Sequence, residues 1–180
     1  AFRCILSGSV LLIIAMGLIR IIIPTVMLFT LVAMSSARSS IYEDEVTLYT
    51  DIVSRSPNKA RPHNNLGDAL KKAGRFEEAG PHFERALALQ PDYPDALNNL
   101  ATIFNNSGRT GEALQLLSQA ISLDPGHLQA RYNLAIIFYE QGMPGEASQQ
   151  YAIIIELAPY SKEAAFARKM LSMIQQRGHP

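Results

Sequence analysis

The strongest constraint on this chain is a repeat of 34 residues. Three consecutive blocks, residues 60–93, 94–127 and 128–161, align with one another without a gap. The same residue occupies seven positions in all three blocks: Asn65/Asn99/Asn133, Leu66/Leu100/Leu134, Gly74/Gly108/Gly142, Glu78/Glu112/Glu146, Ala79/Ala113/Ala147, Leu89/Leu123/Leu157 and Pro91/Pro125/Pro159. Chance does not produce such a register, and a fixed period of roughly 20–50 residues is the signature of stacked structural repeats. The chain is therefore expected to fold as an array of similar units.

Each block predicts a pair of helices. In the first half of the first block, apolar residues recur at helical spacing at Leu66, Leu70 and Ala73. Gly74 follows this stretch, at the place where a residue with a left-handed backbone closes a helix. Pro91 ends the second stretch because proline cannot continue a helix. Each hairpin has an apolar face that it cannot bury alone, so neighbouring hairpins must stack.

These positions resemble the tetratricopeptide repeat. Its pattern combines Leu-Gly or Leu-Ala, an aromatic residue, a glycine turn, alanine, a second aromatic residue, alanine and a closing proline. The first block matches with Leu66-Gly67, Leu70, Gly74, Ala79, Phe83, Ala86 and Pro91. The third block departs from the pattern at Ile154, where the family has a small residue. The resemblance covers residues 60–161 and implies an all-α fold, a solenoid of stacked antiparallel helix hairpins that binds other proteins.

The N-terminal part of the chain is strongly apolar. Between Val10 and Met34 the only charged residue is Arg20, and about 20 apolar residues suffice to cross a bilayer. Residues 1–37 are therefore expected to precede the solenoid as a transmembrane segment, since the stretch exceeds the ~7–15 apolar residues of a secretory signal peptide. It forms either one span, or the end of one span followed by a second over residues 21–37. The second interpretation is favoured because it places Arg20 at an interface.

The segments that flank the three blocks extend the pattern. Residues 38–59 are expected to form a juxtamembrane linker and a helix equivalent to the second half of a block, because Pro57 lies 34 residues before Pro91. Residues 162–180 are expected to form a capping helix, from Lys162 to Gln176, and a tail. The polar residues of that helix would cover the last apolar face.

The composition excludes several classes of function. Basic and acidic residues balance at 16 each, so the chain lacks the basic surface of a nucleic-acid-binding protein. The single cysteine, Cys4, allows no internal disulfide, and the four histidines share no ligand spacing, so no metal site is expected. His82 is expected on a helix surface. Because the sequence carries no phosphate loop, nucleophile motif or paired-carboxylate motif, we expect no catalytic residue, no cofactor and no small-molecule substrate, and the segment is not predicted to be an enzyme.

A row of asparagines is the strongest candidate for a binding site. By the resemblance, the first helix of each block lines an inner groove, and Asn65, Asn99 and Asn133 occupy one equivalent position there. A side-chain amide offers a donor and an acceptor that match a peptide backbone, and similar rows bind polypeptides in the solenoid of the O-linked N-acetylglucosamine transferase. The predicted peptide- or partner-binding residues are Asn65, Asn99, Asn133, Asn64, Asn98, Tyr132, Asp68, Thr102, Lys72 and Tyr139.

The row of asparagines has an alternative, structural interpretation, in which these residues bridge adjacent helices. Asparagine is a poor residue for a helix interior, and its recurrence there favours binding. Family members that bind chaperone tails hold a terminal carboxylate with lysine and arginine. The corresponding positions here are Asn64, Asp68, Gln129 and Asn133, so a role as a cochaperone is not expected.

The sequence favours a membrane-tethered scaffold that binds an extended peptide or partner protein in the groove. Its expected partners are a protein or peptide ligand and the lipid bilayer, but no nucleic acid. The alternative is the C-terminal, acceptor-protein-binding region of a polytopic membrane protein O-glycosyltransferase whose catalytic part lies upstream of Ala1. The order of apolar spans, polar exit, residues 42–49 and repeats resembles such enzymes. That resemblance implies an integral membrane protein with its repeats on the extracytoplasmic (periplasmic or luminal) side.

Overall fold

The computed structural model describes residues 43–177. The predicted membrane segment, residues 1–37, lies outside the described residues and stays a prediction. Within residues 43–177, no helix combines the length and the apolar character needed to cross a bilayer. All regular structure in this range is helical, so the prediction of an all-α repeat fold is confirmed.

Each 34-residue block forms two helices of similar length. The first helix in the described range, α1, covers residues 43–55. The others are α2 (Ala60–Lys72), α3 (Phe76–Leu89), α4 (Pro94–Asn106), α5 (Thr110–Leu123), α6 (Leu128–Glu140), α7 (Pro144–Leu157) and α8 (Lys162–Arg177). The first helix of each block is thus α2, α4 or α6, and the second is α3, α5 or α7.

The glycine between the two helices of each block has a left-handed backbone, as the sequence predicts. The φ angles of Gly74, Gly108 and Gly142 are 81°, 80° and 73°. In the first block, the N–H of Gly74 donates to Lys71 at 3.0 Å and the N–H of Arg75 donates to the carbonyl of Leu70 at 2.9 Å. This pair of bonds is a Schellman motif, which satisfies carbonyls that the helix end leaves unpaired.

Small residues let the two helices of a hairpin approach each other closely. A Cβ atom added to Gly67 would lie 2.7 Å from the ring of Phe83, which is fully buried on the partner helix. The equivalent pairs are Ala101 with Leu117 in the second block and Ala135 with Tyr151 in the third, and all four side chains are fully buried. The space available to the small residue on the first helix therefore depends on which large side chain faces it from the second helix.

The core runs continuously from one block into the next. Leu97 of α4 and Leu134 of α6 share one cluster of buried residues, while Val46 of α1 and Leu100 of α4 belong to another. At the C-terminal end, Ala164 and its neighbours on α8 pack against Ile154 and cover the last hairpin. Ile154 is itself fully buried. Each hairpin thus buries its apolar face against its neighbours, as a solenoid requires.

Only first helices contact their counterparts in neighbouring blocks. Among the described helices, α2 contacts α4, α4 contacts α6 and α6 contacts α8, whereas α3, α5 and α7 do not contact one another. The first helices therefore form a closely packed inner row, and the second helices form a more widely spaced outer row. This arrangement places the side chains of α2, α4 and α6 along one inner face.

Candidate peptide-binding groove

A polar groove of about 470 Å³ runs across the inner row of helices. It is open to solvent, and α2, α4 and α6 contribute most of its lining. The lining residues are Asn64, Asn65, Asp68, Lys71, Asp95, Asn98, Asn99, Thr102, His127, Gln129 and Asn133. We call this surface the amide groove, because side-chain amides dominate it.

The structure brings most of the predicted binding residues into the amide groove. Those that line it are Asn64, Asn65, Asp68, Asn98, Asn99, Thr102 and Asn133. Lys72, Tyr132 and Tyr139 do not. Lys72 forms an ion pair with Asp68, Tyr132 packs against Phe166 of α8 with ring centroids 5.0 Å apart, and Tyr139 packs against the C-terminal core cluster. Binding by any of these residues stays a prediction.

The asparagines form hydrogen bonds between consecutive blocks. The Nδ2 of Asn99 donates to the Oδ1 of Asn64 at 3.1 Å, and the Nδ2 of Asn133 donates to the Oδ1 of Asn98 at 2.8 Å. The two pairs have the same separation of 35 positions and join equivalent sites. Because buried polar groups are costly unless they are paired, these bonds stabilise the stacking of α2, α4 and α6.

The oxygen atoms of the same two amides also have partners. The Nζ of Lys71 donates to the Oδ1 of Asn99 at 2.7 Å, and the Nε2 of Gln129 donates to the Oδ1 of Asn133 at 3.2 Å. The second hydrogen of the Asn133 amide points to Thr102, whose Oγ1 is 3.4 Å away. Asn99 and Asn133 therefore bridge adjacent helices, which is the alternative that the sequence left open for them.

Asn65 differs from the other two members of the row. It is half-buried and lines the amide groove, but its side chain forms no hydrogen bond with any residue in the described part of the chain. Its amide has two donor hydrogens and an acceptor oxygen. Asn65 therefore offers the groove a complete set of hydrogen-bonding groups for a ligand.

The charged residues at the α2 end of the groove neutralise one another. The carboxylate of Asp68 lies 3.0 Å from the Nζ of both Lys71 and Lys72. Burial alone would raise the pKa of Asp68, but the hydrogen bonds and charges of the two lysines outweigh it and lower that pKa. The bond from Asp68 in turn raises the pKa of Lys72. Glu45, whose carboxylate lies 3.7 Å from the Nζ of Lys72, adds the second negative charge, so the cluster of two acids and two lysines is close to neutral overall at pH 7.

His127 is a groove residue that the sequence did not reveal. Its Nδ1 accepts a hydrogen bond from the backbone N–H of Ala130 at 3.1 Å, which caps the start of α6. Its Nε2 lies 3.1 Å from the Oδ1 of Asp95, so the Nε2–H donates to that carboxylate. The position of His127 just before a predicted helix was the only available signal. Asp95 lies 32 positions earlier, at the start of the same block, and only the fold brings it close.

Outside the groove, two histidines form an unexpected pair. The Nδ1 atoms of His63 and His82 are 3.3 Å apart and the rings stack, with centroids separated by 5.6 Å. The Nε2 of His63 lies 3.0 Å from the carbonyl of Pro57, so it carries the proton, and the Nδ1–H of His82 donates to His63. His82 is half-buried, so its side chain lies only partly at the helix surface that was expected for it. No cluster of three or more metal-ligating side chains occurs within residues 43–177.

The comparisons with known proteins identify the repeat. Two family models described as tetratricopeptide repeat match residues 64–127 and 105–168, which together cover more than half of the chain. No curated protein matches the sequence.

Several solved structures share the fold. One is described as YrrB, a TPR protein with an unusual peptide-binding site; it is 22% identical, with a TM-score of 0.61 over 72% of this chain and 67% of that one. The first TPR of Spaghetti (RPAP3), bound to an HSP90 peptide, is 22% identical, with a TM-score of 0.60 over 66% of this chain and 92% of that one. MamA is 17% identical, with a TM-score of 0.59 over 76% of this chain and 90% of that one. Identities this low show a common fold alone. With its repeat register, its inner row of helices and its matching family models, this chain is a tetratricopeptide repeat protein.

Proposed function

We propose that this protein is a membrane-tethered scaffold whose amide groove binds an extended segment of a partner protein. The observation that carries the proposal is Asn65, an amide without a partner in the described structure that faces an open polar groove. An extended peptide presents unpaired N–H and C=O groups along its backbone. One amide can donate to a carbonyl and accept from an N–H of such a peptide.

The bridging asparagines have a supporting role in this proposal. Because Asn99 and Asn133 bond to the preceding block, they fix the side chains that line the groove before a ligand arrives. A groove that is ordered in advance loses less entropy on binding. One amide hydrogen of Asn99 and both amide hydrogens of Asn133 are already engaged, so Asn65 is the first contact that we assign to the peptide backbone.

The similar solved structures support a peptide as the ligand, but the residues of this groove do not favour a peptide with a free C-terminus. One of those structures is described as having an unusual peptide-binding site, and another as bound to an HSP90 peptide. In this chain, the positions that the family uses to hold a terminal carboxylate include Asp68 and Gln129 and carry no cation. We therefore propose that the groove binds an internal extended segment rather than a free C-terminus.

Binding is tested with the full chain in a neutral detergent and a library of blocked peptides, acetylated and amidated at their ends. Substitution Asn65→Ala removes one or two hydrogen bonds and is expected to weaken binding about threefold to tenfold. Gln115→Ala is the matched control, because Gln115 is an exposed amide on the outer helix α5. Equal affinities for Asn65→Ala, Gln115→Ala and the unmodified chain would overturn the assignment of Asn65.

The membrane tether is part of the proposal and is supported by the apolar stretch between Val10 and Met34. We propose that the repeats lie on the extracytoplasmic side, as the order of segments implies. Protease accessibility in sealed vesicles tests this side directly, because only an exposed repeat domain is cleaved. The full reading frame separates the anchored scaffold from the glycosyltransferase alternative. Several upstream spans with an acidic loop would favour the enzyme.

A further inference from the structure

A second hollow adjoins the amide groove at its C-terminal side. It measures about 180 Å³ and lies between α4 and α6, with Leu117 of α5 contributing to its lining. Its lining residues are Ala101, Thr102, Asn105, Asn106, Leu117, Asn133, Ile136, Ile137 and Glu140. A water molecule occupies ~30 Å³ in the liquid, so the hollow has about the volume of six waters. That volume suits one long side chain, and we call this hollow the side-chain pocket.

The side-chain pocket has one apolar wall, formed by Ala101, Leu117, Ile136 and Ile137, and its remaining lining is polar, with Glu140 as the one charged residue. Ala101 and Leu117 are fully buried and Ile137 nearly so, whereas Glu140 is exposed at the end of α6. Glu140 has no ion-pair or hydrogen-bond partner in the described part of the chain, and no cation lines the pocket. An apolar wall next to an unpaired carboxylate suits a side chain with an aliphatic stem and a cationic head.

The two carboxylates of the amide groove, Asp68 and Asp95, already have partners. Asp68 is paired with Lys71 and Lys72, and Asp95 receives the hydrogen bond of His127. Among the residues that line the side-chain pocket, Glu140 is the one carboxylate that a cation brought by a ligand would meet.

The side-chain pocket and the amide groove share Thr102 and Asn133. A peptide backbone that follows the groove past these residues would bring a side chain to the mouth of the pocket. From this geometry we infer that the bound segment contains a lysine or arginine, whose stem lies against Ile136 and Ile137 and whose head pairs with Glu140. This inference rests on the proposed function and adds the chemical class of the ligand.

The test uses five blocked nine-residue peptides of alanine and serine that differ only in the central residue: arginine, lysine, citrulline, methionine or glutamate. Binding to the full chain in neutral detergent is measured for each. A charge-assisted contact at a partly exposed site is expected to make the arginine and lysine peptides bind about fivefold to tenfold more tightly than citrulline, which keeps the shape of arginine without the charge. Glu140→Gln should remove that difference and leave the citrulline affinity unchanged.

Reversing the charge of Glu140 tests the inference more sharply than neutralising it. Lys72 occupies the position of Glu140 in the first block, so a helix of this repeat accommodates lysine there. Glu140→Lys is expected to invert the preference, with the glutamate peptide bound more tightly than the arginine peptide. Glu156→Gln is the control, because Glu156 is exposed on α7 and lines neither hollow. Its selectivity should match that of the unmodified chain.

The outcomes separate this inference from the proposed function. If the peptides bind with equal affinity and neither Glu140 variant changes that, the inference is overturned while groove binding stands. If the methionine peptide binds most tightly, the pocket selects an aliphatic side chain and the inference is again overturned. If no peptide binds at all, the proposed function fails, and the inference fails with it.

Discussion

The amide of Asn133 donates a 2.8 Å hydrogen bond to Asn98, the residue 35 positions earlier on the preceding block. Asn99 and Asn64 repeat this relationship one block before. Consecutive first helices are therefore joined by a periodic polar contact in addition to apolar packing. Asn65, Asn99 and Asn133 occupy equivalent positions in the sequence but differ in role. Asn99 and Asn133 bridge neighbouring blocks, whereas the side chain of Asn65 has no partner in the described structure.

The first prediction separates the bridging asparagines from the free one by stability. Asn99→Ala removes the donor to the Oδ1 of the buried Asn64 and one of the acceptors of Lys71, and a buried polar group left unpaired costs ~1–3 kcal/mol. Asn65→Ala breaks no described bond and is expected to change the free energy of unfolding by no more than ~0.5 kcal/mol. Thermal or urea unfolding of the full chain, followed by far-UV circular dichroism, measures both. Equal losses for the two variants would contradict the bridging role of Asn99.

The second prediction concerns the space beside Gly67. Alanine there gains ~1 kcal/mol of helix propensity over glycine, but its Cβ would meet the Phe83 ring at 2.7 Å. Overpacking of this kind costs ~1–3 kcal/mol, so Gly67→Ala should destabilise the fold on balance. The double variant Gly67→Ala/Phe83→Leu reproduces the pair Ala101 and Leu117 of the second block, and should recover most of the loss. A double variant no more stable than Gly67→Ala would show that the Phe83 ring is not the cause.

The third prediction concerns a buried hydroxyl. The Oη of Tyr151 is inaccessible to solvent and has no hydrogen-bond partner in the described structure. Because an unpaired buried polar group costs ~1–3 kcal/mol, Tyr151→Phe should stabilise the protein by about 1 kcal/mol. Phe83→Tyr is the reciprocal control, since it adds a hydroxyl at the equivalent position of the first block and should destabilise. A loss of stability in Tyr151→Phe would mean that the hydroxyl has a partner.

The ionisation of Tyr151 is also expected to make the stability of the fold depend on pH in the alkaline range. Burial, followed by the nearby Tyr132, Tyr139 and Glu140, raises the pKa of Tyr151 from 10.0 to about 12. The unfolded chain therefore loses this proton at a lower pH than the folded chain does. The stability contributed by the protonated form is full below pH 10 and decreases as the pH rises from 10 toward 12. In Tyr151→Phe this part of the alkaline loss should disappear, which unfolding curves across that range would show.

The fourth prediction concerns the histidine pair at mild acid pH. Burial and the neighbouring His63 lower the pKa of His82 below its ordinary 6.5, although Glu78 opposes the shift. The unfolded chain then binds a proton at His82 that the folded chain resists. Stability should be full above pH 6.5 and decrease as the pH falls from 6.5 to about 5, above the range in which carboxylates titrate.

The control for this prediction is His82→Gln, which keeps a side chain able to donate to His63 but does not titrate. Its melting temperature should change less than that of the unmodified chain between pH 6.5 and about 5. Identical pH profiles for the two proteins would show that the pair does not titrate with folding.

The sequence predicted the helix pairs because the signals that begin and end each helix recur at a fixed period. Every block has a glycine equivalent to Gly74 and a proline equivalent to Pro91, and apolar residues recur at helical spacing in the helices that these residues end. The helices and their stacking could therefore be predicted from the local sequence. The inner face also followed, since equivalent positions of a repeat point the same way. The amide groove therefore contains most of the residues predicted for it.

The hydrogen bonds within the groove could not be predicted, because they depend on how far one block is shifted along the next. A one-block period suggests that Asn65, Asn99 and Asn133 face one another, yet each bridging amide contacts a position 35 residues away. The packing of α3 against α2 likewise decides that His63 and His82 meet. Their separation of 19 positions carries no helical or metal-ligand signal.

The most direct measurement is a nuclear magnetic resonance titration of the full chain in detergent, with asparagine side chains labelled with nitrogen-15. On addition of a peptide that binds, we expect a large shift of the Asn65 side-chain amide and smaller shifts for Asn99 and Asn133. The amide of Asn58, exposed outside the groove, should not move. A bound peptide that leaves Asn65 unchanged and shifts signals of the outer helices would show that the amide groove is not the binding site.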